Sequence, residues 1–441
     1  MNTYFKLVTI LFVLVLASCG GGGGDDDNTS TSYPPWDVPY LPQDCSVVSQ
    51  NEFVYKFMRD VYYWYDKVPS DVNISDFNSP EELLDYLRYS ELDRWSYITS
   101  QESYYSYMEE GTYIGLGFSL RYDTDNNLRI ALVYLDSPAD KAGLKRGDII
   151  LSINGKTIEE IEQNNLWDTI WGDREVGVEV SLEIKKLDGS IVNLTLKKDI
   201  VVLTPVYLTK IFDIDGKKIG YLVFLSFILP AEEPLKEAFK QFKDSNIDEL
   251  IVDLRYNGGG RTSISSELAS LISGLDNSYI FAKFIHNDKY SDYNFDERFQ
   301  SLTESVGLDR VVVLTTSSTC SASELLINSL KPYIEVITIG STTCGKPVGM
   351  YPQDFCDKVI SAINFEVRNA NNEGGYFDGI SPRCKAIDNL TVDLGNEAED
   401  MLNEALYYLQ NGDCSPTEPM IANIKVKELK LTGFTREIGA F

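Results

Sequence analysis

The sequence predicts a multidomain α/β (α+β) chain: an N-terminal helical segment, a compact β-rich module, and an α/β core built on a βαβ-type sheet. Three observations predict this order. Apolar residues recur at helical spacing in 50–98, short strands broken by glycine and Asn-Gly turns fill 101–199, and strands alternate with amphipathic helices beyond 200. A chain of 441 residues has room for several domains at roughly 150 residues each. The expected divisions are a leader at 1–18, a tether at 19–42, the helical segment at 43–100, the β module at 101–199, the core at 200–412 and an extension at 413–441.

The helical segment is marked by Val54, Met58, Val61 and Tyr65, three and four residues apart, and by a start signal at Ser79-Pro80-Glu81-Glu82. In the β module a strand over 128–135 is followed by Ser137-Pro138-Ala139, a short helix at 139–142, and a hairpin turn at Asn154-Gly155. In the core, 218–224 reads as a strand, and Leu235, Ala238, Phe239 and Phe242 form one apolar helix face. Strands follow at 248–254, 311–315 and 336–339, with a helix over 322–330 halted by Pro332 and another over 396–410. The residues 421–441 read as strand-like. Alternating strands and helices imply a mainly parallel sheet, with its site beyond the strands' carboxyl ends.

Composition excludes several functions. Lys+Arg 39 against Asp+Glu 67 gives a net charge of -28, and a field of that sign repels phosphate backbones, so no nucleic-acid partner is expected. The chain has one histidine, His286, which excludes a metal centre built on several imidazoles. The loop Asp253-Leu254-Arg255-Tyr256-Asn257-Gly258-Gly259-Gly260 has neither the G-x-G-x-x-G pattern nor a Gly-Lys-Ser ending, so no nucleotide is implied. No cofactor and no metal are expected.

Residues 1–18 form a signal-peptide pattern: Lys6, an apolar run over 7–17, and small residues at the end. Leu16-Ala17-Ser18-Cys19 resembles the bacterial lipobox, which implies lipid on Cys19 and a cell-envelope lipoprotein; an uncleaved anchor, or a plain signal with a chance cysteine, is the alternative. Gly20 after the cysteine points, by the same resemblance, to the outer membrane, facing the periplasm or the exterior. The Gly-Asp-Ser-Thr stretch behind it buries nothing and is a tether. Six further cysteines, Cys45, Cys320, Cys344, Cys356, Cys384 and Cys414, show no CxxC spacing, and their pairing is left open among 15 full connectivities.

Gly115-Leu116-Gly117-Phe118, Ser137-Pro138-Ala139, Ala142-Gly143-Leu144, Gly147-Asp148 and Ile153-Asn154-Gly155 occur in an order that resembles a PDZ domain of the bacterial protease type. The resemblance implies that the N–H groups of Leu116, Gly117 and Phe118 hold the carboxylate of a peptide that adds as a strand.

Further on, Ser317-Ser318-Thr319-Cys320-Ser321-Ala322-Ser323-Glu324 is a strand-to-helix turn crowded with hydroxyls. Its bland explanation is a capping box of Ser321 with Glu324. With Cys344-Gly345-Lys346 after the next strand, the Asp-Leu-Arg-x-Asn-x-Gly-Gly loop ahead, and Tyr376-Phe377-Asp378-Gly379-Ile380 behind, residues 100–412 resemble the carboxyl-terminal processing (tail-specific) proteases. These are serine-lysine endopeptidases that carry a PDZ domain.

That resemblance implies Ser321 as nucleophile and Lys346 as general base, with the Ala322 and Gly259 N–H groups as oxyanion donors. An ordinary lysine is almost wholly protonated at neutral pH, so a lysine base must sit where burial disfavours its charge. Met350 stands where the family usually has a glutamine, and Gln353 is the candidate replacement in support of the base. The expected partners are proteins with unstructured C-termini, and a membrane through Cys19. Residues 50–98 and 421–441 are candidate surfaces for self-association. The alternatives are an inactive family member that binds peptides through its PDZ domain, and a tricorn-type hydrolase with His286 as base.

Overall fold

The structure, a computed structural model, describes residues 36–416, 426–429 and 431–441. The predicted leader, most of the tether and the lipidation candidate Cys19 lie outside the described residues.

The first helix, Val47–Asp60, is capped by Ser46, whose hydroxyl accepts the Ser49 N–H at 3.3 Å. It buries Phe53, Val54, Phe57 and Met58. The second, Pro80–Leu87, starts where the sequence predicts, with the Ser79 hydroxyl accepting the Glu82 N–H at 3.1 Å. Asn51 fixes the turn between them by donating to the carbonyls of Ile74 and Phe77. Their buried faces share one apolar cluster with Phe224, Leu268 and Val313 of the core, and Cys45–Cys356 joins this region to the rest covalently.

The PDZ-like module is a sheet of Phe118–Tyr122, Leu128–Val133, Ile149–Ile153, Glu179–Lys185 and Ile191–Lys197, in that order. Its interior holds Leu116, Phe118, Leu120, Ile130, Ile150 and Leu182. Asn154 and Gly155 both have positive φ, 49° and 75°, which is the primed turn that Asn-Gly favours. Strand Thr112–Gly115 pairs antiparallel with Asp199–Val202, so the module's entry and exit strands leave together.

The core sheet has the order Val206–Ile214, Lys217–Phe224, Glu249–Asp253, Arg310–Thr315, Glu335–Gly340, Cys384–Lys385. The first pair is an antiparallel hairpin and every later pairing is parallel. Side chains alternate across it. Leu250 and Val252 face a layer containing Leu235, Phe239 and Phe242 of helix Glu232–Ser245, while Ile251 faces Met401 and Leu402 of helix Asp400–Asn411. That last helix starts later than the sequence predicts, because the Glu399 carboxylate caps it by accepting the Leu402 N–H at 3.0 Å.

The tail corrects another expectation. Instead of a strand, residues Gly433–Ile438 form a helix closed by Gly439 at φ 65°. Phe434 and Ile438, four residues apart, are buried against the chain's own body, so this part of the tail is covered.

Candidate active site

Three loops leave the carboxyl ends of adjacent parallel strands, and each carries part of the site. The first follows Asp253. Its Arg255 is 1% exposed and holds Asp253, Asp388 and Glu399 at 2.7–2.9 Å, so each of these carboxylates has a cationic partner inside the fold. The neighbouring Tyr256 hydroxyl donates to Asp388, and Arg146 of the PDZ-like module bonds both Tyr256 and Asp388.

Loop one is stitched to loop two. The Asn257 carbonyl accepts the Cys320 N–H at 3.1 Å and the Ser323 hydroxyl at 3.0 Å, and the Thr319 hydroxyl donates to the Leu254 carbonyl at 2.8 Å. Gly259 sits at φ 108°, and a Cβ there would lie 2.7 Å from the Ser321 Cβ and 2.9 Å from the Cys320 carbonyl oxygen. Only glycine lets the two loops approach this closely.

Ser321 opens helix Ala322–Leu330 at φ 54°, ψ -115°, a conformation that non-glycine residues rarely adopt. Such strain persists only where surrounding contacts hold it, and it concentrates at functional sites.

The contacts that hold it converge on Glu324, which is fully buried. One carboxylate oxygen accepts the N–H groups of Ser321 at 3.0 Å and Lys346 at 2.8 Å. The other accepts the Gly345 N–H at 2.7 Å and the Thr343 hydroxyl. Burial raises this carboxyl above its ordinary range, and the donors pull it back. Since Thr343 accepts the Ile380 N–H at 2.7 Å, its own proton is available to Glu324.

The sequence marks Glu324 only as a capping residue, and the reach back to the Ser321 N–H is that half of the capping box. Its bonds to Thr343, Gly345 and Lys346, in the loop after strand Glu335–Gly340, carry no local sequence signal. The Cys320–Cys344 disulfide spans the same gap and was equally invisible.

Lys346 is 3% exposed. The segment Tyr376 to Ile380 lies under its loop: a Cβ on Gly345, which has φ 84°, would meet the Phe377 carbonyl at 2.2 Å. A cavity of about 790 Å³ opens beside the loops, lined by Gly258, Cys320 and Cys344, by Arg121 and Tyr122 of the PDZ-like module, and by Leu431 of the tail.

Not every candidate faces this site in the expected way. The Gly259 N–H, expected to meet an oxyanion, donates to the Asn257 side chain at 2.9 Å. Gln353 donates to the Asp354 carbonyl at 3.1 Å, on a strand that belongs to a different sheet from Met350. Both ring nitrogens of His286 lie 3.2 Å from partners, Asn294 Oδ1 and the Tyr351 hydroxyl, and Trp36 meets the ring edge-on. Burial lowers its basicity, so His286 is a core residue with its hydrogen bonds satisfied.

The PDZ-like groove is occupied. The N–H groups of Leu116, Gly117 and Phe118 donate to the carbonyl oxygen of Phe441 at 3.0, 2.8 and 3.4 Å, and the Phe441 N–H returns to the Phe118 carbonyl at 2.8 Å.

Comparison with known proteins agrees with this architecture. Residues 218–385 match Peptidase family S41, residues 49–97 the Peptidase S41 N-terminal domain, and residues 129–163 a PDZ domain. The chain is 25% identical to carboxy-terminal processing protease CtpA of Bacillus subtilis over 297 residues, 67% of this chain and 61% of that one. It is 28% identical to the carboxyl-terminal-processing protease of Picosynechococcus over 53% of this chain and 54% of the other. The chain thus spans about half to three fifths of the length of these relatives. A solved Bacteroides fragilis structure named as an S41 protease superposes with a TM-score of 0.64 at 27% identity, covering 82% of this chain and 97% of that one.

Proposed function

The chain belongs to peptidase family S41, and on that premise we propose that it is a lipid-anchored serine endopeptidase of the carboxyl-terminal processing type. In this reading the PDZ domain takes unstructured protein ends, and Ser321 with Lys346 cleaves the chain they belong to. The observation that carries it is the single carboxylate oxygen of Glu324 that accepts both the Ser321 and Lys346 N–H groups. One buried anion thereby sets nucleophile and base relative to each other.

The chemistry follows from the roles. The Lys346 amine takes the Ser321 hydroxyl proton as Oγ bonds to the substrate carbonyl carbon, and the carbonyl oxygen becomes an oxyanion. The Ala322 N–H at the helix start receives that charge, joined by the Gly259 N–H once it turns from Asn257. Collapse breaks the peptide C–N bond as Lys346 returns the proton to the leaving amine. Water, deprotonated by the same amine, then splits the acyl ester and regenerates Ser321. No step uses a metal, a cofactor or His286.

The test is cleavage of a disordered protein with an apolar C-terminus by the purified chain. Wild type cuts it, and Ser321→Ala and Lys346→Ala each abolish the cut; activity retained in either variant refutes the assignment. A wild type that binds C-terminal peptides and cuts nothing supports the alternative motivated by Met350, a peptide-binding lipoprotein. The anchor is tested separately: a fatty-acid label should enter wild type and not Cys19→Ala.

A further inference from the structure

The occupant of the PDZ groove is the chain's own segment 431–441. Phe441, the last residue of the sequence, is 8% exposed. Besides the three backbone amides, the Tyr113 hydroxyl reaches its carbonyl oxygen at 3.4 Å. The ring stacks on Trp171, centroids 4.4 Å apart and planes 29° apart, and Phe118 closes the pocket at 6.5 Å. Gly117, at φ 89°, is what lets the amides reach in, since a Cβ there would strike the Ser137 side chain at 2.1 Å.

The segment is held along its length. Phe434 contacts Tyr97 and Tyr107, with centroids 5.8 and 5.7 Å away, and Arg174 lies over its ring and bonds Thr435. Leu431 reaches the wall of the cavity beside the catalytic loops. Among the described residues one rung of strand addition forms, Phe441 N–H to Phe118 carbonyl, because Gly439 turns the chain away into helix Gly433–Ile438. An extended peptide end would add further rungs along Phe118–Tyr122.

We infer that this groove selects polypeptide ends carrying an aromatic residue, with Trp171 as the specificity-determining residue, and that the segment 431–441 is a competing internal ligand which substrate ends must displace. The inference rests on the proposed PDZ capture. A tethered ligand acts at an effective concentration on the order of millimolar. If the tail's own intrinsic Kd for the groove is about 10 µM, competition then weakens apparent binding of an external peptide by about 100-fold.

The experiment measures fluorescence anisotropy of a labelled synthetic peptide with the sequence of residues 432–441. It is run on the Ser321→Ala chain, so the result does not depend on catalysis. Three forms are compared: the chain as it stands, the chain shortened by Ala440 and Phe441, and a chain extended past Phe441 by Gly-Ser-Gly, which blocks seating without deleting a contact residue. The expected result is about 100-fold tighter binding by both altered forms, and about tenfold weaker binding by the shortened form when the peptide ends in alanine. Trp171→Ala in the shortened form should erase that preference.

Equal affinity of all three forms overturns the internal ligand, and equal affinity for phenylalanine and alanine ends overturns the selectivity. An affinity that varies with protein concentration would place the segment in a second copy's groove and overturn the intramolecular assignment. Tail-dependent binding without cleavage by the Ser321-intact chain refutes the peptidase reading and leaves this inference standing. Cleavage with no dependence on the tail does the reverse.

Discussion

Glu324→Gln exchanges one of two carboxylate oxygens for a donor while keeping the shape. Each oxygen accepts two hydrogen bonds: Ser321 and Lys346 N–H on one, Gly345 N–H and the Thr343 hydroxyl on the other. Whichever way the amide sits, two donors lose an acceptor and face an NH₂. Hydrogen bonds to a charged group contribute about 1.5–3 kcal/mol each, so the exchange removes roughly 3–6 kcal/mol in all. If half of that falls on the acylation barrier, kcat drops by roughly one to two decades. The assay is steady-state cleavage of a disordered protein, with calorimetry on the same samples. The reasoning requires that kcat fall while KM stays within about twofold. A kcat within about twofold of wild type refutes it, and so does a lowered Tm with unchanged kcat per folded molecule, which would make Glu324 a stability residue only.

Gly259→Ala places a methyl group 2.7 Å from the Ser321 Cβ at a backbone angle that alanine avoids, so cleavage should fall by about 10² or more, read in the same assay. Replacing Cys320 and Cys344 together by serine should cost about 3 kcal/mol of stability and lower kcat, because that bond joins the Ser321 turn to the Lys346 loop. Replacing Cys384 and Cys414, which form a disulfide with each other, should cost stability and spare kcat. Burial alone would raise the Asp388 carboxyl, but the guanidiniums of Arg146 and Arg255 bring it down to about 2. A depressed carboxyl contributes stability that is complete above its unfolded value near 4 and is lost as pH falls towards 2. Urea midpoints of wild type should therefore decline between about pH 4 and pH 2, by about 2 kcal/mol from this group, and Asp388→Asn should remove that share of the decline.

Local signals carried most of the fold. The apolar stripe at Leu235, Ala238, Phe239 and Phe242 became the buried face of helix Glu232–Ser245, and Ser79-Pro80 and Asn154-Gly155 each did what their side chains dictate at a helix start and a primed turn. Where the reading failed, distant contacts decided. The helix expected from 396 begins at Asp400 because Glu399 serves both as its cap and as a partner of Arg255. The tail's Thr-Gly-Phe-Thr has little intrinsic helicity and becomes helical around the burial of Phe434 and Ile438. At the site, motif order supplied the candidate residues, but Glu324 already had a sufficient local explanation, which hid its bonds to Gly345 and Lys346. Cysteine pairing was illegible for the same reason, since Cys45 and Cys356 are 311 residues apart.

That last bond has a mechanical meaning. Cys45 lies immediately before Ser46, the cap of the first helix, while Cys356 sits in the turn between strands Gln353–Phe355 and Lys358–Ser361. A pull transmitted along the chain to Cys45 passes through sulfur into the sheet hairpin. Helix Val47–Asp60 follows the crosslink, so a pull arriving at Cys45 loads the sheet hairpin as well as the helix.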